Sequence, residues 1–526
     1  QLSAFIEEFS PSAGRRRVSP DDDMSAASFE NQLKKTKEQL SKLRAIDSAK
    51  LTGDDLIDWK FAHSILTGRE LEQEQMKSWK KDPRLYMAFT SISDIIGRPG
   101  EAKSKVDEIE KRLRVTATQL KNGELLLELY VPRFQELSLF MAENGFVLFD
   151  KELPAFIKDA GEEAKKLNDP AKEARAALTH FISFLKTELP KRTKGDFAIG
   201  KETYNAMLKG QYLLDKDADS LYQFGWAQFN ATVAELEALA KKIDPSKTWQ
   251  QLATEIKNEY PKPDQMIEAH QEWVDKAKAH IVEKSLIPIP WKERVNVVPR
   301  AEYLRKTSYY GNFSSAKALD KDSIFTSEWW INPYEEQWDA KRKQEYLVEH
   351  DWGVIIVTAP HETYAGHHVQ GLYQMHNPRP LRKENGISIF SEGWGLYNEQ
   401  LMQETGFFPN ERIHLRQLQL RLWRNARVIY DVGMHTGKLS YEEAIQLMTE
   451  KVGFLRWAAQ LEIDSATASP GYFIGYFTGM MEILKMREEY KTKMGDKFSL
   501  SDFHERLLKI GNMPPSLMSE ALMMGL

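Results

Sequence analysis

Helical periodicity is the feature that most narrows what this chain can become. Apolar residues return every three to four positions along most of its length, and the periodic segments end at recognisable stops. In FENQLKKTKEQLSKLRAI (29–46), Leu33, Leu40 and Leu43 fall near heptad spacing with lysines between them. EAKSKVDEIEKRLRVTATQLKNG ends on Gly123, and DPAKEARAALTHFISFLKTELP opens on Asp169 and Pro170 and closes at Pro190. DADSLYQFGWAQFNATVAELEALAKKID and MIEAHQEWVDKAKAHIVEKSLI repeat the pattern, with no fixed period that would indicate a solenoid. The expectation is a mainly α protein. At 526 residues it exceeds what one simple core holds, so two or more domains, or two lobes of one large helical body, are expected.

The texture changes near residue 287. IPIPWKERVNVVPRAEYL has three prolines and alternating valines, and SIFTSEWWINPY (323–334) reads as a β-strand stopped by Asn332-Pro333. Helical pattern resumes from about 335. The expected division is a helical N-terminal half, 1–287, forming one cleft wall, and a catalytic half, 288–526, with a small sheet near the active site. SIFTSEWWINPY is expected to be an edge strand, open to pairing with an extended partner segment. Trp329 and Trp330 alternate across it, with Trp329 the candidate for a substrate subsite. YYGNFS (309–314) reads as a Gly-containing loop, and SAGRRRVSPDDDMS (12–25) as a polar, turn-rich lead-in.

Composition removes several function classes. A net charge of −5 gives no broad positive field for nucleic acid. The absence of cysteine excludes disulfides, thiolate metal sites and cysteine nucleophiles. No apolar run reaches the roughly 20 residues of a membrane span. The chain opens on Gln1, which fits a removed targeting segment or a trimmed N-terminus.

The chemistry concentrates in TAPHETYAGHHVQ (358–370), which holds His361, Glu362, His367 and His368, although the whole chain has only 12 histidines. Thr358 and Pro360 suit the start of a helix there. Two histidines four apart on one helical face would converge on zinc at about 2.0–2.1 Å, with the glutamate after the first as general base. Here the fifth position is Ala365. In an unbroken helix His367 lies about 240° around from His361, and His368 about 10.5 Å along the axis. The expectation is therefore an irregular helix, broken near Gly366, with His367 the first choice for second ligand and His368 the alternative. A third ligand is sought in FSEGWGLYNEQLMQETGF, where Glu392 and Glu399 share a helical face. Taken singly, the histidine stretch fits a polar helix surface, and Glu392 fits a dipole-favoured charge at a helix start. Together they point to a metal site. In RVIYDVGMHTG, Asp431 and His435 are four apart, so that Asp431 orients a histidine, His435 acts in catalysis as a donor to the substrate carbonyl, or the two form a local helix pair. Arg427 is a candidate for a substrate carboxylate.

HETYAGHH followed by SEGWGLYNEQLMQETG resembles the DUF885 family of bacterial proteins, related to helical zinc metallopeptidases of the gluzincin type. RNARVIYDVGMHTGKLSYEEAIQLM (424–448) and SPGYFIGYFTGMMEI (469–483) extend the likeness over most of the chain. The resemblance implies a two-lobed helical zinc-peptidase-like fold with a deep cleft, one bound zinc ion and hydrolysis of peptide bonds. It carries His361 and the Gly366-His367-His368 segment over as metal-site residues, Glu362 as the base and Glu392 as the glutamate of Glu-Gly-Trp. Tyr476 matches the tyrosine of the family's Tyr-x-x-Gly pattern and is the candidate oxyanion donor, with Tyr472, one turn earlier, the second choice. The sequence departs where relatives have Pro at Ala365 and Gln at Tyr472. The implied partner is a short or unfolded peptide. The implied place is outside the cytoplasm, periplasmic or lipid-anchored through an upstream segment, with the cytoplasm left open. A non-catalytic peptide-binding scaffold, and a zinc hydrolase of another amide or ester, are the alternative readings.

Overall fold

A computed structural model of the chain describes residues 1–9, 19–97, 101–300, 311–316, 319–320 and 322–524. The architecture is mainly α with small sheets. Residues 12–18 of the polar lead-in lie outside the described residues.

One hydrophobic core is built wholly from residues between Met24 and Leu189. Its centre is α1 (Val106–Leu126) against α2 (Asn168–Thr187). Ile109, Leu113 and Leu120 form the buried stripe of α1, and Leu178, Phe181 and Leu185 that of α2, the spacing that a 3.6-residue period produces. The other cores do not divide at 287. Helices α3 (Ala218–Ile243) and α4 (Met266–Glu283) bury Leu236, Leu239, Val274 and Ile281 in clusters shared with residues beyond 350. The core of the first lobe thus ends near residue 190, and the second lobe takes in residues 2–9, the apolar residues of 40–71, the middle helices and the C-terminal half. Arg133 of the first lobe reaches Asp464 of the second in a partly buried ion pair.

The three-stranded sheet has β1 (Glu293–Pro299), β2 (Asn312–Ser314) and β3 (Phe325–Ile331) in the order β1-β3-β2. β1 runs parallel to β3, and β2 antiparallel. The strand expected at the edge is therefore the central one: Trp329 faces Val297 on one side and Phe313 on the other, and both ladders are occupied. Trp329 packs inward, 4% exposed, with its ring edge-on to His270 of α4 at 5.0 Å, so it lines no subsite. Residues 312–314 of the expected glycine loop are strand β2, and 309–310 lie outside the described residues.

Five helices carry the candidate site: α5 (Trp352–Glu362), α6 (His367–Met375), α7 (Ser388–Glu404), α8 (Glu411–His435) and α9 (Ile474–Met494). α5 begins earlier than Thr358. Asp351 caps it by accepting from Val354 N, and the Val354–Val357 run forms its buried first turns. Thr358 instead donates its hydroxyl to Val354 O inside the helix, and His361 and Glu362 fall in its last turn rather than its first. Among the described residues no helix is long and apolar enough to cross a membrane.

Candidate metal centre

The break between the histidines is built by close packing. α5 ends at Glu362 and α6 starts at His367, with Gly366 as its N-cap. Gly366 N donates to Pro360 O at 2.9 Å, and the turn brings Gly366 so close to α5 that a Cβ there would lie 1.7 Å from His361 O. Trp394 Nε1 donates to Ala365 O at 2.9 Å, tying the turn to α7. The fold of the chain on itself replaces the helical repeat that normally aligns two such histidines.

His361, His367 and Glu392 meet as a result, each offering a ligand atom within 4.8 Å of the others. Glu392 Oε2 lies 3.5 Å from His367 Nε2 and 3.8 Å from His361 Nε2. Atoms bound tetrahedrally at 2.0–2.1 Å stand about 3.4 Å apart, so the trio fits one ion with small adjustment and leaves a fourth corner. Behind His361, Nδ1–H donates to Glu399 Oε1 at 2.8 Å, which directs Nε2 toward Glu392. Burial lowers the pKa of His361, but its bonds to Glu392 and Glu399 outweigh that and raise it to about 9. Burial opposes ionisation of Glu392 too, yet the two histidines hold it well below the usual carboxylate range. Among the described residues no hydrogen bond or ion pair occupies the carboxylate of Glu362, beside His361 and half-buried.

His368 is not part of this group. Its Nδ1 meets Ser327 Oγ at 2.8 Å and its Nε2 meets Glu293 Oε2 at 2.6 Å. Ser327 accepts from Ala316 N, so its own hydroxyl is free to donate to Nδ1, and Nε2–H then donates to Glu293. That pairing leaves no lone pair for an ion.

The α9 end supplies hydroxyls. Tyr472 donates to Glu392 Oε1 at 2.7 Å, and its oxygen lies 3.3 Å from that of Tyr476. The ring of Tyr476 lies 6.4 Å from that of His361. Asp431 does not orient a histidine. It accepts from Gly471 N, Phe473 N and Tyr204 and so fixes the turn that leads into α9. Burial pushes its pKa up to about 7. His435 is also displaced from the expected role: it is fully buried, donates Nε2–H to Ala466 O at 3.0 Å, and packs against Phe197 and Tyr204. Arg427 is buried, paired with Glu462 at 2.7 Å and lying 4.0 Å from the Tyr476 ring centre, so it supports that ring rather than meeting a substrate carboxylate. Sequence reading missed Glu462 and Glu293, single carboxylates far from the motifs. Glu293 carried no signal of its own, because it sits in the charged run Lys292-Glu293-Arg294.

The sequence model of a family described as bacterial protein of unknown function (DUF885) matches residues 12–522. Comparison with curated proteins finds no match. A solved structure of a candidate lipoprotein of unknown function from Shewanella oneidensis is 21% identical, with TM-score 0.82 over 99% of this chain and 98% of that one. One of a candidate lipoprotein from Colwellia psychrerythraea is 17% identical, with TM-score 0.74 over 94% and 91%. These likenesses establish the fold, and the family match spans nearly the whole sequence: the chain belongs to the DUF885 family.

Proposed function

We propose that the chain is a zinc-dependent peptidase acting on short or unfolded peptides. The carrying observation is that His361, His367 and Glu392 converge from three separate helices beside Glu362, whose carboxylate is unengaged among the described residues. A zinc ion held there would supply Lewis-acid polarisation of a carbonyl and of a water molecule. Glu362 takes the proton of the attacking water and returns it to the leaving amine. The Tyr476 hydroxyl donates toward the oxygen on which negative charge develops, while that of Tyr472 stays on Glu392. β2 is one of the two outer strands of the sheet among the described residues, and its Phe313 ring lies 6.4 Å from that of His367. An extended peptide pairs with that edge, in place of the central strand. We also propose an exported protein, in keeping with the lipoprotein descriptions of the two relatives.

The test is metal analysis of the purified protein followed by a mixed-peptide digest. Glu362→Gln retains zinc and loses turnover, whereas His361→Ala and Glu392→Ala lose the metal. Zinc at 100 times its Kd raises stability by about 2.7 kcal/mol, seen as a higher Tm that a chelator reverses. Failure to take up any divalent ion refutes the reading. Uptake without cleavage of any peptide refutes the peptidase reading and leaves a structural ion or a hydrolase of another amide or ester.

A further inference from the structure

Behind the candidate metal centre lies a second cluster, centred on a carboxylate that takes no part in it. Glu293, at the start of β1, has a side chain only 3% exposed. It accepts three hydrogen bonds: from the Tyr364 hydroxyl, from His368 Nε2 at 2.6 Å and from Lys278 Nζ at 2.7 Å. Lys278 comes from α4 and also lies over the Tyr364 ring, 5.2 Å from its centre. His368 is held from its other side by Ser327 of β3. Burial alone would keep a lone carboxyl neutral, but the three donors outweigh it and bring the pKa of Glu293 to about 2.

The placement of these partners in the chain gives the cluster its meaning. Tyr364 lies three residues before His367, and His368 one residue after it. The segment between them is the turn from α5 to α6, which no helical hydrogen-bond ladder fixes. His367 is the only member of the candidate trio that this turn presents. We propose that Glu293 is a positioning residue for the metal centre: by gripping Tyr364 and His368 on either side of His367, it anchors the turn to the sheet and holds the His367 ring facing His361 and Glu392.

This inference rests on the metal-site reading, and the experiment separates the two. Co(II) and Zn(II) are titrated into the metal-free parent and variants, and the same samples are melted. If the parent binds neither ion, the metal-site reading fails. Given binding by the parent, Glu293→Gln is expected to weaken Co(II) affinity about tenfold, the lower end of what loss of a supporting partner costs. Its far-ultraviolet circular dichroism stays that of the parent. Tyr364→Phe removes one of the three bonds with the ring retained, and is expected to weaken binding severalfold. It carries the test if Glu293→Gln does not fold. Glu328→Gln, a neighbouring carboxylate that bonds Trp330 instead, leaves affinity unchanged. In a His367→Ala background, Glu293→Gln adds no further loss of residual Co(II) binding, because its effect passes through that ring. Parent-like affinity in folded Glu293→Gln or folded Tyr364→Phe overturns the proposal. So does an undiminished effect of Glu293→Gln in the His367→Ala background, which would mark a general role in stability.

Discussion

A single hydrogen-sized space governs the aim of His361. Gly395, one turn after Glu392 on α7, lies under its imidazole, and a Cβ there would come within 2.6 Å of Nε2 and 2.7 Å of Cε1. The ring is pinned by Glu399 on its other nitrogen, so it cannot yield without breaking that bond. Gly395→Ala is therefore expected to keep the helical fold, lose about 1–3 kcal/mol of stability from overpacking, and weaken zinc binding by at least tenfold. Thermal melts and metal titration check this. Parent-like affinity would mean that the ring has room to slide. At this scale the sequence told which residues to examine, because His361, Glu392 and Glu399 sit at spacings with few chemical meanings. It ranked His367 ahead of His368 without deciding between them. That choice depends on the path of the turn and on Ser327 and Glu293, which lie 41 and 75 residues from His368.

Among the elements, the approach of α7 to α9 brings Glu392 to Tyr472. Both helices use glycine at the crossing: a Cβ on Gly393 would lie 2.5 Å from the Gly479 carbonyl carbon, and one on Gly479 would lie 1.8 Å from Ile389 O. These obstacles are backbone atoms, so no rotamer change relieves them. Gly479→Ala is expected to force the helices apart and cost about 1–3 kcal/mol or more. Gly393→Ala acts on the same contact, so the double variant should fall short of the sum of the single losses in denaturant titrations. Full additivity would show two independent contacts. Glycines in SEGWG and GYFTG were visible in the sequence, but nothing in one helix says which glycine of another it will meet. The same limit explains the sheet. The β-rich run 323–334 and its Asn332-Pro333 stop predicted a strand, which lies at Phe325–Ile331, but the hydrogen-bond partners on both sides of it are a long-range property. Similarly, Thr358 and Pro360 suggested a helix starting there, whereas the Asp351 cap and burial of the Val354–Val357 run extend α5 upstream.

Across the whole molecule, the helical periods indicated the fold class, but the boundary at 287 followed a change in composition, whereas the cores follow packing. The same packing buries histidines far from the candidate metal centre. His504 is held by Tyr397 and Leu286 O, His270 by Met266 O, and His435 by Ala466 O. Burial lowers their pKa values to about 4, 3 and 4 respectively. An unfolded histidine titrates near 6.5, so these groups cost nothing above that pH. As pH falls below 6.5, the unfolded chain takes up protons that the native protein refuses, and stability is lost until the native values are reached. Asp431 acts in the opposite sense, since its raised native pKa of about 7 lets the folded state gain a proton on the way down. One carboxyl does not offset three imidazoles. His361, raised to about 9, changes stability only above 6.5, and Glu293, lowered to about 2, only below about 4.5. The stability of the metal-free protein should thus drop steeply between pH 6.5 and 4.5. His435→Gln keeps a donor for Ala466 O and removes one titrating ring. It should reduce that slope by about 1.4 kcal/mol per pH unit, measured by urea titration at half-unit steps. An unchanged slope would mean that His435 takes up its proton as readily in the folded protein as in the unfolded chain.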